Sequence, residues 1–204
     1  MMRIVLAPID VKEAVTELAR GGIVAYPTET YYGLGVDAEN PVALERLASL
    51  KGRDVANPFP ILLPDSEHLA RFTGPLPSTV LTLTEHFWPG PLTLILKSHG
   101  LPDLLKGPSG GIGFRVSSHP VAHALLSEFG RCVTATSANL TGEKPASSME
   151  ELRAYFGKTD ILALDAGDTP GGAPSTVLDL TDPKEFHVVR EGAIAIDEIR
   201  AVLK

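Results

Sequence analysis

The chain has 204 residues, 44% hydrophobic and 21% charged, which is enough apolar material for a sizeable core and excludes general disorder. Its 18 Lys and Arg against 25 Asp and Glu leave a net charge of −7, a poor basis for a general nucleic-acid coat. One cysteine, Cys132, excludes an intramolecular disulfide and a Cys-rich zinc site, and no apolar run reaches the ~18 residues of a membrane span.

Arg3–Leu6 reads as a short strand. Val11–Arg20 carries apolar residues at helical spacing and stops at Gly21-Gly22. Ile23–Tyr26 is a strand ended by Pro27, and Val42–Leu50 a helix. Phe59–Leu63 follows as a strand, Ser78–Phe87 as a helix, and Leu92–Leu96 and Ile112–Val116 as strands. Val121–Phe129 is an amphipathic helix closed by Gly130, and Cys132–Ala135 a strand. Met149–Phe156 is a helix with Ser147 or Ser148 as N-cap. Ile161–Leu164, Thr176–Leu180 and His187–Arg190 are strands, and Ile196–Val202 a closing helix. Alternating strands and helices predict an α/β protein, and the closely spaced pairs Leu92–Val116 and Thr176–Arg190 predict antiparallel parts. The expectation is an open, twisted, mixed sheet with flanking helices. No linker composition divides the chain, so residues 1–204 read as one domain. The opening MMRIVLAPID is too short in its apolar part for a signal peptide, which makes the expected location cytoplasmic.

Four polar segments interrupt this apolar pattern. Tyr26-Pro-Thr-Glu-Thr-Tyr-Tyr-Gly-Leu-Gly35 follows a buried strand, where α/β proteins place ligands, and Thr28 and Thr30 offer hydroxyls to one. Its Gly33-Leu-Gly35-Val-Asp-Ala38 imitates a dinucleotide-binding string, but Pro27–Tyr32 separates it from the strand. Lys51 and Arg53, with Asn57 before Pro58, could complement a helix C-terminus or converge on one anion. Arg115 lies in an apolar strand and needs an anion, either a ligand carboxylate or phosphate, or Glu29 or another internal acid. Ala135-Thr-Ser-Ala-Asn139 combines small residues with hydroxyls, as an anion cradle requires. Gly167–Ser175 reads as a loop, either a lid or a turn. His119 and His123 are spaced for one helix face but lack an evident third ligand, so no metal site is expected. No phosphate-loop string and no nucleophile elbow occurs.

In order along the chain, these strings together with Trp88-Pro-Gly-Pro-Leu-Thr93, Pro174-Ser-Thr-Val177 and Arg190-Glu-Gly192 resemble the YrdC-like family, the threonylcarbamoyl-AMP synthases. The resemblance spans roughly Ala14 to Arg190. It implies a sheet around a large concave pocket with a basic floor. It implies condensation of L-threonine, bicarbonate or CO2, and ATP to L-threonylcarbamoyladenylate and pyrophosphate, with Mg²⁺ and cations neutralising the phosphates. Separate partner proteins would carry the activated group to an adenosine beside the tRNA anticodon, and weak binding of tRNA itself is left open. By the same resemblance Thr30, Arg115, the Ala135 backbone and Ser175 would hold threonine. Lys51, Arg53, Asn57, Ser137, Asn139, Pro145 and Arg190 would serve ATP, with Lys51, Arg53 and Asn57 meeting its phosphates and Lys51 and Arg53 as the catalytic residues. Longer members add a C-terminal domain, so this chain is expected to be the short form. They also carry a His in the strand after Asn-Pro, which reads Phe59-Pro-Ile-Leu-Leu63 here, and Asp54 replaces the usual Pro. A related subgroup lacks the Lys-x-Arg and Ser-x-Asn strings; this chain has both.

Overall fold

The computed structural model describes residues 1–6, 11–52, 58–140, 142–182 and 185–204. Their order is β1 (Arg3–Leu6), α1 (Lys12–Ala19), β2 (Val24–Pro27), β3 (Tyr32–Gly35), α2 (Pro41–Lys51), β4 (Ile61–Leu62), α3 (Ala70–Thr73), α4 (Ser78–Phe87) and β5 (Leu92–Leu96). β6 (Ile112–Arg115), α5 (Pro120–Phe129), β7 (Val133–Thr134), β8 (Thr136–Ser137), α6 (Met149–Phe156), β9 (Leu162–Asp165), β10 (Thr176–Asp179), β11 (His187–Arg190) and α7 (Ile196–Val202) follow. No helix among the described residues is long and apolar enough to cross a membrane.

The expected mixture of parallel and antiparallel pairing is present, divided between two sheets. One runs β1-β9-β2-β3-β8 and the other β11-β10-β5-β6-β4-β7. One stretch pairs with both of them. β7 pairs with β4, and two residues later β8 pairs with β3. Within this stretch Ala135 donates its N–H to the Pro60 carbonyl at 2.7 Å, and Thr134 donates to the Val36 carbonyl at 3.0 Å. The sequence predicts one strand over Cys132–Ala135. The chain instead changes sheets there, because both neighbours offer unpaired backbone groups at adjacent positions.

Strand alternation sets the layers. Val24 and Tyr26 face α1 and α5, packing with Ala14, Leu18, Leu125 and Leu126. Ala25 faces the opposite way into the larger core between the sheets, which also holds Leu34, Ile61, Leu94 and Phe114. The tyrosine-rich segment expected as a loop is a hairpin, β2–β3, with Pro27 opposite Tyr32. Two glycines in four residues conceal β3, since glycine is a poor strand former. Gly35 is required nonetheless: a Cβ there would overlap Val133 and the Tyr26 ring. α2 starts at Pro41 because Asn40 caps it, its side chain accepting the N–H groups of Val42 and Ala43.

His119 caps α5. Its Nδ1 accepts the Val121 N–H at 3.2 Å. Burial holds its pKa below the ordinary 6.5, against the opposing pull of Glu29. Below pH 6.5 the unfolded chain therefore binds the proton more readily than the native one, and stability should fall as pH drops. His119→Asn, a cap that does not titrate, should flatten denaturant-measured stability between about pH 7 and pH 5. An unchanged slope would exclude His119 as its source.

Candidate active site

The hairpin tip, the β7–β8 crossover and one edge of the six-stranded sheet meet around a cavity of about 260 Å³. At the tip, Thr28 Oγ1 accepts the Thr30 N–H at 3.2 Å and lies 3.1 Å from Thr30 Oγ1. This fixes both hydroxyls in the cavity wall. The crossover contributes Ala135, Thr136 and Ser137. Ala138 donates to the Tyr32 carbonyl and Ala146 to the Ala138 carbonyl, which brings Pro145 to the same wall.

The sheet edge supplies most of the remaining polar groups. Thr93 in β5 pairs with Val177 in β10, and Val177 stands opposite Arg190 in β11. Ser175, two residues before Val177, is therefore on the same face. Its hydroxyl lies 3.0 Å from Thr93 Oγ1. Arg190 sits at the rim and donates to the Ser175 carbonyl from Nε at 3.1 Å and from Nη2 at 2.9 Å. The Arg190 pKa is lowered by burial and then by repulsion from Arg115. Two guanidiniums in one cavity are poised for anionic ligands.

Arg115 ends β6 and is only 7% exposed. Its immediate counter-ion is internal: Glu29 Oε1 lies 2.5 Å from Nη2 and 3.2 Å from Nε. Ser117 donates to the other oxygen of Glu29. The strand is held beside β5 by the Trp-Pro-Gly-Pro segment, where Gly90 donates to the Val116 carbonyl and Trp88 Nε1 to that of Leu92.

Lys51, the last residue of α2, is buried behind this wall. Its ammonium donates to the carbonyls of Ser137 at 2.5 Å and Asn139 at 2.7 Å, and to Asn139 Oδ1 at 2.8 Å. Asn139 Oδ1 also accepts the Ser137 hydroxyl, and Asn139 Nδ2 donates to the Glu143 carbonyl. Lys51 and Asn139 thus form the layer that holds Ser137, not the cavity surface. Arg53 and Asn57 lie outside the described residues. Thr30, Arg115, Ala135, Ser137, Pro145, Ser175 and Arg190 line the cavity together. Thr93 and Tyr31 also line it, and neither was singled out from sequence. Thr93 left a trace, as the lone hydroxyl in the apolar run Leu92–Leu96.

The Gly167–Ser175 loop is strapped to the hairpin. Gly171 donates to the Thr30 carbonyl at 2.7 Å, and Tyr31 Oη to that of Gly172 at 2.5 Å. Beyond Arg190, Gly192 presses on Pro174 and Ser175, and a Cβ there would collide with the Pro174 carbonyl. Gly192→Ala should therefore displace Ser175 and weaken ligand binding more than it lowers stability. Unaltered substrate KM values would refute that coupling.

A family model of Sua5, YciO and YrdC proteins, described as "Telomere recombination", matches residues 16–192. The chain belongs to the Sua5/YciO/YrdC family. The threonylcarbamoyl-AMP synthase of Halorhodospira halophila is 42% identical over 165 residues, covering 80% of this chain and 86% of that protein. The structure of Pyrococcus abyssi Sua5 complexed with L-threonine superposes with a TM-score of 0.91 at 32% identity, over all of this chain and 61% of that one. YciO of E. coli superposes with a TM-score of 0.85 at 29% identity, covering 98% of each chain. This Sua5/YciO/YrdC chain therefore spans about three-fifths of the P. abyssi protein. Within the family fold, two guanidiniums are brought to one cavity by strands far apart in sequence.

Proposed function

We propose that this chain is a threonylcarbamoyl-AMP synthase acting as a single domain over residues 1–204. The supporting observation is the convergence of Arg115 and Arg190 with the hydroxyls of Thr30, Thr93 and Ser175 in one cavity. The threonine ammonium releases a proton to solvent, the freed lone pair attacks CO2 to form the N–C bond as one C=O π pair moves onto oxygen, and the adduct releases a second proton to solvent, giving a carbamate. A carbamate oxygen then attacks the α-phosphorus of ATP, the new P–O bond forms, and the bond to pyrophosphate breaks. Both reactants are anions, so the protein's work is to hold them together and offset their repulsion. Arg115 takes the threonine carboxylate, with Thr30, Ser175 and the Ala135 backbone completing that subsite. Arg190, Ser137 and Pro145 serve the nucleotide, Lys51 and Asn139 act on it by holding Ser137 from behind, and Arg53 and Asn57 are assigned to the ATP phosphates.

Among the described residues no three His, Cys, Asp or Glu side chains cluster as metal ligands. Mg²⁺ fits best as the nucleotide's counter-ion, and none of these residues is assigned to it. The product would pass to partner proteins that modify tRNA in the cytoplasm. Incubation with ATP, L-threonine and bicarbonate should yield L-threonylcarbamoyladenylate by mass, with pyrophosphate release requiring both co-substrates. ATP consumption independent of threonine would refute the reading.

A further inference from the structure

A guanidinium presents two edges that can grip a carboxylate, Nε–Nη2 and Nη1–Nη2. In Arg115 the first is occupied, because Glu29 Oε1 accepts from both Nε and Nη2. Nη1 has no hydrogen-bond partner among the described residues. Glu29 itself is anchored on its far side. Ser117, 2% exposed, donates to Glu29 Oε2 and accepts the His119 N–H at 3.2 Å, tying the carboxylate to the start of α5. Arg115 lines the cavity, as do Thr28 and Thr30 on either side of Glu29, whereas Glu29 does not. We infer that Glu29 is a positioning residue, held by Ser117, that turns Arg115 so that its Nη1–Nη2 edge alone receives the carboxylate of the amino-acid substrate. The inference rests on the proposed threonine subsite and adds the geometry of its recognition.

Charge alone points the other way. A carboxylate beside Arg115 weakens the attraction of the cavity for a second carboxylate. If Glu29 were only a counter-ion, removing its charge would tighten threonine binding. If it positions Arg115, removal loosens it, because an unheld guanidinium must be ordered by the ligand itself.

The test measures L-threonine binding by calorimetry, and KM for threonine and for ATP, in the parent, Glu29→Ala, Glu29→Gln and Ser117→Ala. Glu29→Ala should raise the threonine KM by about tenfold or more and leave that of ATP within about twofold. Glu29→Gln keeps an acceptor facing Arg115 and should recover most of the loss. Ser117→Ala should give a smaller rise of roughly threefold in the same direction. If Glu29→Ala does not fold, as its melting curve would reveal, the other two variants decide. Threonine binding that is unchanged or tighter in Glu29→Ala or Ser117→Ala, or tighter than the parent in Glu29→Gln, with a parent that binds threonine and makes the adenylate, overturns the positioning role alone. A parent that does neither overturns the functional reading beneath it as well.

Discussion

Lys51→Ala is expected to lower the unfolding free energy by about 3 kcal/mol, roughly 6–12 °C in Tm for a chain of this size. The ammonium is buried and satisfies three oxygens, two of them main-chain carbonyls. Removing it strands those acceptors where solvent reaches poorly, and an unsatisfied buried acceptor costs more than the mean hydrogen bond contributes. The consequence for function is larger. Asn139 and the Ser137 carbonyl lose their common anchor, so the β7–β8 crossover loses its registration against the cavity. Adenylate formation should drop by at least about a hundredfold, with the ATP KM rising before the threonine KM. Lys51→Arg should not restore it, because a planar fork cannot replace three donors radiating from one atom. Thermal melts and initial rates check both halves, and a variant with the parent's Tm would show that the anchor is dispensable.

Arg115→Ala should raise the threonine KM by at least about tenfold while changing that of ATP far less. Charge-assisted, two-point recognition of a carboxylate is the contact this substitution removes. Stability should also fall, by about 3 kcal/mol, because Glu29 would remain largely buried without its cation. The two effects separate in one variant: Arg115→Lys keeps the charge and part of the stability but lacks the fork that serves Glu29 and a ligand at once. Equal rises in both KM values would move Arg115 away from the amino-acid subsite.

Gly192→Ala and His119→Asn probe smaller couplings. The first acts through steric pressure on Ser175, and the second through proton binding at the cap of α5. Neither residue lines the cavity.

Much of the cavity was legible because polar residues stood out against apolar strands. Arg115 in Ile112–Val116 and the hydroxyls of Thr28 and Thr30 could not be placed in a core without a partner or a ligand. The helices α2, α4, α5 and α6 were legible from their spacing and from Gly or Pro at their ends, and α7 from spacing alone, within a residue or so. β3 was not, because Gly33 and Gly35 owe their place to the Tyr26 ring and Val133, which approach from other strands. Lys51 was misleading in the opposite sense. At a helix end followed by Gly52 it has the sequence context of an exposed cation, yet its ammonium is turned inward onto residues 137 and 139.

The sequence by itself determined the α/β class, most element positions, the family and the set of polar residues available to a ligand, since these follow from local periodicity and from ordered short strings. The tertiary structure alone decided which of those residues share a cavity and which support it. Glu29 reaches Arg115 across 86 positions, and Lys51 reaches Asn139 across 88. Ion pairs and hydrogen bonds act over a few ångströms, so their partners are set by the path that folds two sheets against one another, and no local pattern encodes that path.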